Sequence, residues 1–592
     1  MKSTGFAFRQ WPGMVWVALL AACLLSMLLV TYPIFDFDFY WHLANGREMV
    51  NSAQIISKEV FSYTHPGEHF ANHEWLSQVL LYLVWHAFGS HGLLTMKLII
   101  VGMITWLLFL TLRNEEQSPA IAALLTVLVV LAGLNRYHVR PELFTLLNMA
   151  LLGFILYGFC TQKLPRAVLW AIPFIMVLWD WLHGAVYGFA FLTMFFAGEN
   201  LKHRVQRFQP QSTLSRADLK TLNLCFAITL LAMLVNPFGL RTYGVFVGYV
   251  TGESNLNTVI TEYTPISWEY SRVFILMFAW FVLLALRNWK RVDITQVLVA
   301  MVFGLATLRF SRMEAAAAIV MAPAIAGLLK LNMQASSRKF ERKFHAATLI
   351  VSGALILWYG YAIKFIPDAP EPDSDQYHYV SIYDLSFGYR KDDSIYPVGA
   401  VNFIRDHKLT GHLYNSGNFG GYLSYQITPE RKIFQYNMGT FGNPLYYVRH
   451  PDALAKWDIN YAIVGTNMEM NLFPEKEWAT VYCDAASVLL IRRTPRNAAL
   501  IDQYEVHYFS PALSGASLLK EAKDPEVLPV LADEIGDYLD ERKDRRIAAV
   551  WARILTGHAQ LRREQQIQQR LTRALKYNPD PALEEIGART HG

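Results

Sequence analysis

Charge is scarce in this sequence: 17% of its 592 residues are Asp, Glu, Lys or Arg, against about a quarter in soluble domains. With 53% hydrophobic and 14% aromatic residues, the composition excludes an ordinary soluble protein and implies many membrane spans with a water-exposed part. Cysteine is scarce too. The four present, Cys23, Cys160, Cys225 and Cys483, are far apart and offer neither a disulfide framework nor a metal-binding spacing. The net charge of +5 is small for this length, and the basic residues are dispersed in short loops, which argues against a nucleic-acid partner.

Several catalytic signatures are also missing. In NHEWLSQVL, His73 and Glu74 could open a zinc-protease motif, but the second histidine belongs four residues after the first, and Ser77 stands there. GNFGGYL lacks the Lys and Ser/Thr of a phosphate loop and the spacing of a dinucleotide fingerprint, and reads as a tight glycine turn.

Apolar segments are plentiful. The first, Pro12 to Ile34, is long enough to span and lacks a small-residue cleavage pattern, so it reads as a retained helix. Others run at about 93–112, 119–134, 143–161, 167–182, 185–197, 221–235, 273–286, 294–308, 315–329 and 346–363, about eleven transmembrane helices in all. With a cytoplasmic amino terminus, the inner loops hold eighteen Lys and Arg and the outer loops eight. The positive-inside rule favours that orientation, and an odd span count puts everything after Ile366 outside.

The expected organisation is a polytopic α-helical domain over 1–366 with a large external loop at 35–80, and a linker over 367–396. An extracytoplasmic α/β domain follows over 397–495, and a helical tail over 496–592. In the α/β domain VGAVNFIRDH reads as a helix, HLYNS, KIFQYN and YAIVGT as strands, and ATVYCD with SVLLIRR as a hairpin. LTRALKYNPD in the tail resembles the second helix of a tetratricopeptide repeat, but the full repeat consensus is not visible, and a simple helical cap is favoured over a repeat array; if the tail binds something, a protein or peptide is the natural candidate.

The polar loop 35–80 concentrates the chemistry, with Asp36, Asp38, His42, Glu59, His73 and Glu74 set among aromatics. Asp38 precedes the helix-like FYWHLANGREMV, where it can cap the helix or act chemically. Asp36, two residues earlier, shares its face in extended chain. Such a pair can bind a divalent cation, Mg or Mn, or leave one carboxylate as a base. His42 lies one turn after Asp38, and Glu74 at a helix start is favoured by the macrodipole. The few outer arginines, among them Arg136, Arg140, Arg309 and Arg312, cluster at span ends. There they can pair with Glu142, Glu262 or Glu314, or bind phosphate through guanidinium forks.

These motifs carry a resemblance. DFDFYWHLANGRE, EVFSYT and NHEWLSQVLLYL are similar to the first external loop of a bacterial family of multipass proteins with the GT-C glycosyltransferase architecture, distantly similar to protein mannosyltransferases and aminoarabinose transferases. RYHVRPELFTLL, WDWLHGAVYG, NPFGLRTY, TEYTPIS, LRFSRMEAAAAIVMAP and YNSGNFGGYLSYQITPERKIF fit that pattern in order, while FQYNMG departs from it. The resemblance implies a transferase in the bacterial inner membrane, using a polyprenyl-phosphate-linked sugar at the outer face. Asp36 and Asp38 would be its catalytic or metal-binding acids. His42, Glu59, His73, Glu74, Arg136, Arg140, His183, Glu262, Arg309 and Arg312 would line the substrate site, with the arginines on the lipid phosphate. A lipid or polysaccharide transporter or scaffold is the alternative, and it would place its charges near the bilayer midplane.

Overall fold

The computed structural model describes residues 13–32, 34, 36–115, 117–205, 214–244, 264–334, 395–436, 446–465, 467–484, 486–509, 518 and 520–541. They fall into two compact units. Residues up to Lys58, with those from His69 to the end of the described helices, make one; Glu59–Glu68 and the C-terminal residues make the other.

The first unit is a helical bundle: α1 (Gly13–Leu29), α2 (Phe39–Ser52), α3 (Trp75–Asn114), α4 (Pro119–Ala132), α5 (Glu142–Cys160), α6 (Ile172–His183), α7 (Val186–Arg204), α8 (Arg216–Ala232), α9 (Trp268–Arg287), α10 (Ile294–Arg309) and α11 (Glu314–Gln334). Ten of the expected apolar segments coincide with these helices; the eleventh, at 346–363, and Glu262 lie outside the described residues. Five stretches are long and apolar enough to cross a membrane by length and composition: Trp75–Asn114, Glu142–Cys160, Arg166–His183, Trp268–Arg287 and Ser311–Asn332. The chain is thus a helical membrane protein with a C-terminal unit.

Local chemistry sets the boundaries. Ser118 caps α4 by accepting the Ile121 N–H, with Pro119 at the first helical position. Asp293 caps α10 by accepting from Thr295 and Gln296. Helix α3 breaks at Gly89, whose φ of 60° suits a residue without Cβ. The break separates the polar start of α3, which packs on α2, from its apolar continuation. At the α2–α3 contact a Cβ on Gly46 would lie 2.2 Å from the Gln78 carbonyl oxygen, so a side chain there would force the two helices apart.

Connections expected on one side of a membrane gather at one end of the bundle. Asn114 and Glu115, Lys163, Lys202, Arg291 and Lys330 line a single cavity at the far ends of α3, α5, α7 and α11. Asp36, Asp38, Glu74, Arg140 and His183 meet at the opposite ends.

The second unit holds a four-stranded sheet in the order β1-β2-β4-β3. Strand β1 (His412–Asn415) pairs parallel with β2 (Ile459–Val464); β4 (Val488–Arg492) pairs antiparallel with both β2 and β3 (Trp478–Cys483). The hairpin and α12 (Val398–Asp406) lie where expected. The described part of KIFQYN, residues 432–436, is not a strand: Ile433 makes only an isolated bridge, to Ser62. GNFGGYL is not a glycine turn but a 3-10 turn (Gly417–Phe419) running into α13 (Gly420–Gln426). There a Cβ on Gly420 would press within 2.3 Å of the Gln435 carbonyl oxygen, so the glycine serves close packing.

Candidate active site

The site begins with the chain entering α2. Asp38 has helical backbone angles (φ −80°, ψ −15°) and its side chain makes no cap bond. The short-range role falls to Asp36, whose Oδ1 accepts the Asp38 N–H at 2.8 Å. The Asp38 carboxylate turns instead to Arg140, with Oδ2 2.7 Å from Nη2, while Arg140 Nη1 stands 3.3 Å from Asp36 Oδ2. One guanidinium therefore lies across both carboxylates, the planar arrangement for which arginine is suited.

Glu74 forms the second centre, immediately before α3 and buried. Around its carboxylate stand His183 Nε2 at 3.3 Å, His42 Nδ1 at 3.7 Å and His73 Nε2 at 4.0 Å. Burial raises the Glu74 carboxyl to about 7, against the opposing pull of the Arg140 and Arg312 charges. Burial also lowers His73 to about 4 and holds His42 well below the ordinary imidazole value, with the Arg140 charge adding to the effect on His42. At neutral pH these two rings are uncharged, and the Glu74 carboxyl holds its proton to a higher pH than an exposed carboxylate does.

His42 is 2% exposed, and neither ring nitrogen has a hydrogen-bond partner among the described residues. A buried polar group in that condition costs about 1–3 kcal/mol, a cost that a bound hydroxyl or water removes. His183 is positioned from its other side. Thr145 Oγ1 lies 2.8 Å from His183 Nδ1 and accepts the Trp179 indole N–H at 2.8 Å. Thr145 can then donate to Nδ1, which leaves the His183 proton on Nε2, facing Glu74.

Not every expected residue joins this cluster. Arg136 is buried in a forked pair with Glu142, its Nε 3.2 Å from Oε1 and its Nη2 bonded to Oε2. Arg309 is exposed at the end of α10, its guanidinium 5.4 Å from the Phe310 ring centre. The charge of Arg312 bears on Glu74 and His73. Glu59 belongs to the second unit, where it accepts from the backbone N–H groups of Phe61 and Ser62 at 2.5 and 2.6 Å and from the Tyr436 hydroxyl. Burial raises Glu59 to about 7, and it serves there as a loop anchor.

Asp36 and Asp38, the acids expected to hold a divalent cation, both face the Arg140 guanidinium. Among the described residues no group of three or more His, Cys, Asp or Glu is placed to hold a metal.

The sequence singles out neither Thr145 nor Trp179 as a site residue, although both lie within the motifs RYHVRPELFTLL and WDWLHGAVYG. It also missed Lys97, 1% exposed on α3, with Nζ 3.3 Å from the Tyr32 carbonyl oxygen and 3.7 Å from the Tyr32 ring centre.

No protein-family profile matches the sequence, and no curated protein matches it. Among solved structures the chain is similar to the apo oligosaccharyltransferase of Archaeoglobus fulgidus, at 12% identity over 83% of this chain and 75% of that one, with a TM-score of 0.49. It is also similar to ArnT from Cupriavidus metallidurans in the apo state, at 12% identity over 82% and 98% of the two chains and a TM-score of 0.46. The same ArnT bound to undecaprenyl phosphate gives 12% identity over 82% and 98%, with a TM-score of 0.44. These proteins are GT-C glycosyltransferases, the architecture that the sequence motifs resemble.

Proposed function

We propose that this chain transfers a sugar from a polyprenyl-phosphate-linked donor to an acceptor hydroxyl at the extracytoplasmic face of the bacterial inner membrane. The observation that carries the reading is the Arg140 guanidinium laid across Asp36 and Asp38, beside a buried Glu74 ringed by histidines. The charges sit at helix ends rather than at mid-helix, as a membrane-surface reaction requires and a translocation path does not.

In this reading Asp38, oriented by Arg140, accepts the proton of the acceptor hydroxyl. The hydroxyl oxygen attacks the anomeric carbon from the face opposite the phosphate. The bond from that carbon to the phosphate oxygen breaks, its electron pair leaves on the polyprenyl phosphate, and configuration inverts. Arg312 bears the growing phosphate charge. His42, neutral and unpartnered, and Glu74 hold the polar groups of the sugar. No covalent sugar intermediate on the protein is needed, and no step needs a metal.

The test is purified full-length protein incubated with a radiolabelled polyprenyl-phosphate-linked sugar, following release of the polyprenyl phosphate. The reading expects release that Asp38→Asn abolishes. No release from any of a panel of such donors, together with no polyprenyl phosphate in the co-purified lipid by mass spectrometry, overturns it.

A further inference from the structure

A cavity of about 280 Å³ lies at the opposite end of the bundle from Arg140, where α3, α5, α7 and α11 end and α10 begins. Helix α5 has 19 residues between the two ends, a distance of about 28 Å at 1.5 Å per residue. The cavity is therefore separate from the candidate active site.

Its acids are already committed. Glu199 Oε1 accepts from Lys202 Nζ at 2.7 Å and from Thr295 Oγ1 at 2.8 Å. Asp293 Oδ2 accepts from Lys202 Nζ at 2.6 Å, and its Oδ1 caps α10 through the N–H groups of Thr295 and Gln296 at 2.9 and 3.1 Å. Glu115 Oε1 accepts the Gln296 side-chain amide at 3.0 Å, and burial beside Asp293 raises that carboxyl to about 7, so it carries less than a full charge.

What remains in the wall is donors. Asn114 and Tyr157 are 5% and 3% exposed, and the Asn114 Nδ2 and Tyr157 Oη atoms have no hydrogen-bond partner among the described residues. Lys163, Arg291 and Lys330 also line it, with the Lys330 charge bearing on Glu115. Two buried donors without acceptors among the described residues, in the same wall as Lys163 and Arg291, recognise oxygen-rich negative charge, and ligand contact removes the cost of leaving those donors unpaired. The volume is of headgroup size.

We propose that this cavity is a second binding site, for a phosphate-bearing group at the membrane face opposite the candidate active site. A lipid headgroup and a soluble phosphate share that chemistry, so the experiment has two arms. Detergent-purified full-length protein is titrated with inorganic phosphate, and in parallel with short-chain phosphatidic acid, reading the shift in melting temperature and native mass spectra. Tyr157→Phe removes only an unpartnered hydroxyl and keeps the fold; Arg291→Gln removes a wall charge. Binding that weakens by about tenfold in either variant supports the site, and the probe that binds names the source. Arg312→Gln, at the other end, reports any phosphate held there instead. The proposal is overturned if neither probe binds, if both variants bind as the parent does, or if only Arg312→Gln loses binding.

Discussion

Arg140 Nη2 lies 2.7 Å from Asp38 Oδ2 across 102 residues of chain, joining the loop before α2 to the turn before α5. The pair holds the acid in place without the backbone bond that an N-cap would make.

That relationship sharpens the test of Asp38. Since the carboxylate caps nothing, Asp38→Asn keeps the shape and loses the charge, and transfer is expected to fall by on the order of a hundredfold with a small change in melting temperature. Asp38→Ala is expected to lose transfer equally. Near-normal transfer by the Asn variant would remove Asp38 from the chemistry.

Arg136 and Arg140 are four residues apart and are expected to fail differently. Breaking the buried Arg136–Glu142 fork leaves an uncompensated charge, so Arg136→Ala is expected to cost roughly 3–5 kcal/mol, seen as a lower melting temperature and poor yield. Replacing both partners, Arg136→Met with Glu142→Met, is expected to recover much of the loss. A stable but inactive Arg136→Ala protein would contradict the structural role.

The two arginines before α11 also part company. Arg312 acts on Glu74 and His73, while Arg309 is exposed. Arg312→Ala is expected to weaken polyprenyl phosphate binding by at least tenfold, and Arg309→Ala to leave it within about twofold. Equal losses, measured by lipid titration, would mean general damage to the bundle.

Glu74 gives a pH signature. Its carboxyl is raised to about 7 from the ordinary glutamate value of 4.5, so between those values the folded state binds a proton that the unfolded chain has released. The stability this contributes is full below about 4.5 and is lost as pH rises through about 7. The melting temperature of the parent relative to that of Glu74→Gln is expected to fall over that window, since the depressed His42 and His73, whose linkage has the opposite sign, are common to both proteins. Parallel curves for the two proteins would place the titration elsewhere.

Orientation is testable with reporters. A fusion after Arg291 is expected to be cytoplasmic and one after Ile366 external, from the eighteen-to-eight charge asymmetry of the loops. The opposite result at both positions would put the Arg140 cluster on the cytoplasmic face.

Taken alone, the sequence determined what depends on short-range pattern. Runs of apolar residues determined ten helices, alternation marked β2 and the β3–β4 hairpin, and Ser118 with Pro119 marked where α4 starts. The loop from Asp36 to Glu74 stands out as a candidate site because polar residues, few in the flanking apolar segments, are concentrated there. KIFQYN misled because its β pattern is local, whereas a strand needs a neighbour, and the segment at Ser62 supplies only a bridge.

Only the tertiary structure decided which charge meets which. Arg136, Arg140, Arg309 and Arg312 look alike as span-end arginines, yet one is locked to Glu142, one crosses Asp36 and Asp38, one is exposed, and one acts on Glu74. Those outcomes depend on helix rotation and on packing between residues far apart in the chain, as where Gly46 brings α2 against α3. Burial of Glu74 among three histidines, and of the Asn114 Nδ2 and Tyr157 Oη atoms with no hydrogen-bond partner among the described residues, arises in the same way. Desolvation belongs to the assembled bundle, because it is the neighbouring helices, and no feature of the local sequence, that exclude water from those groups.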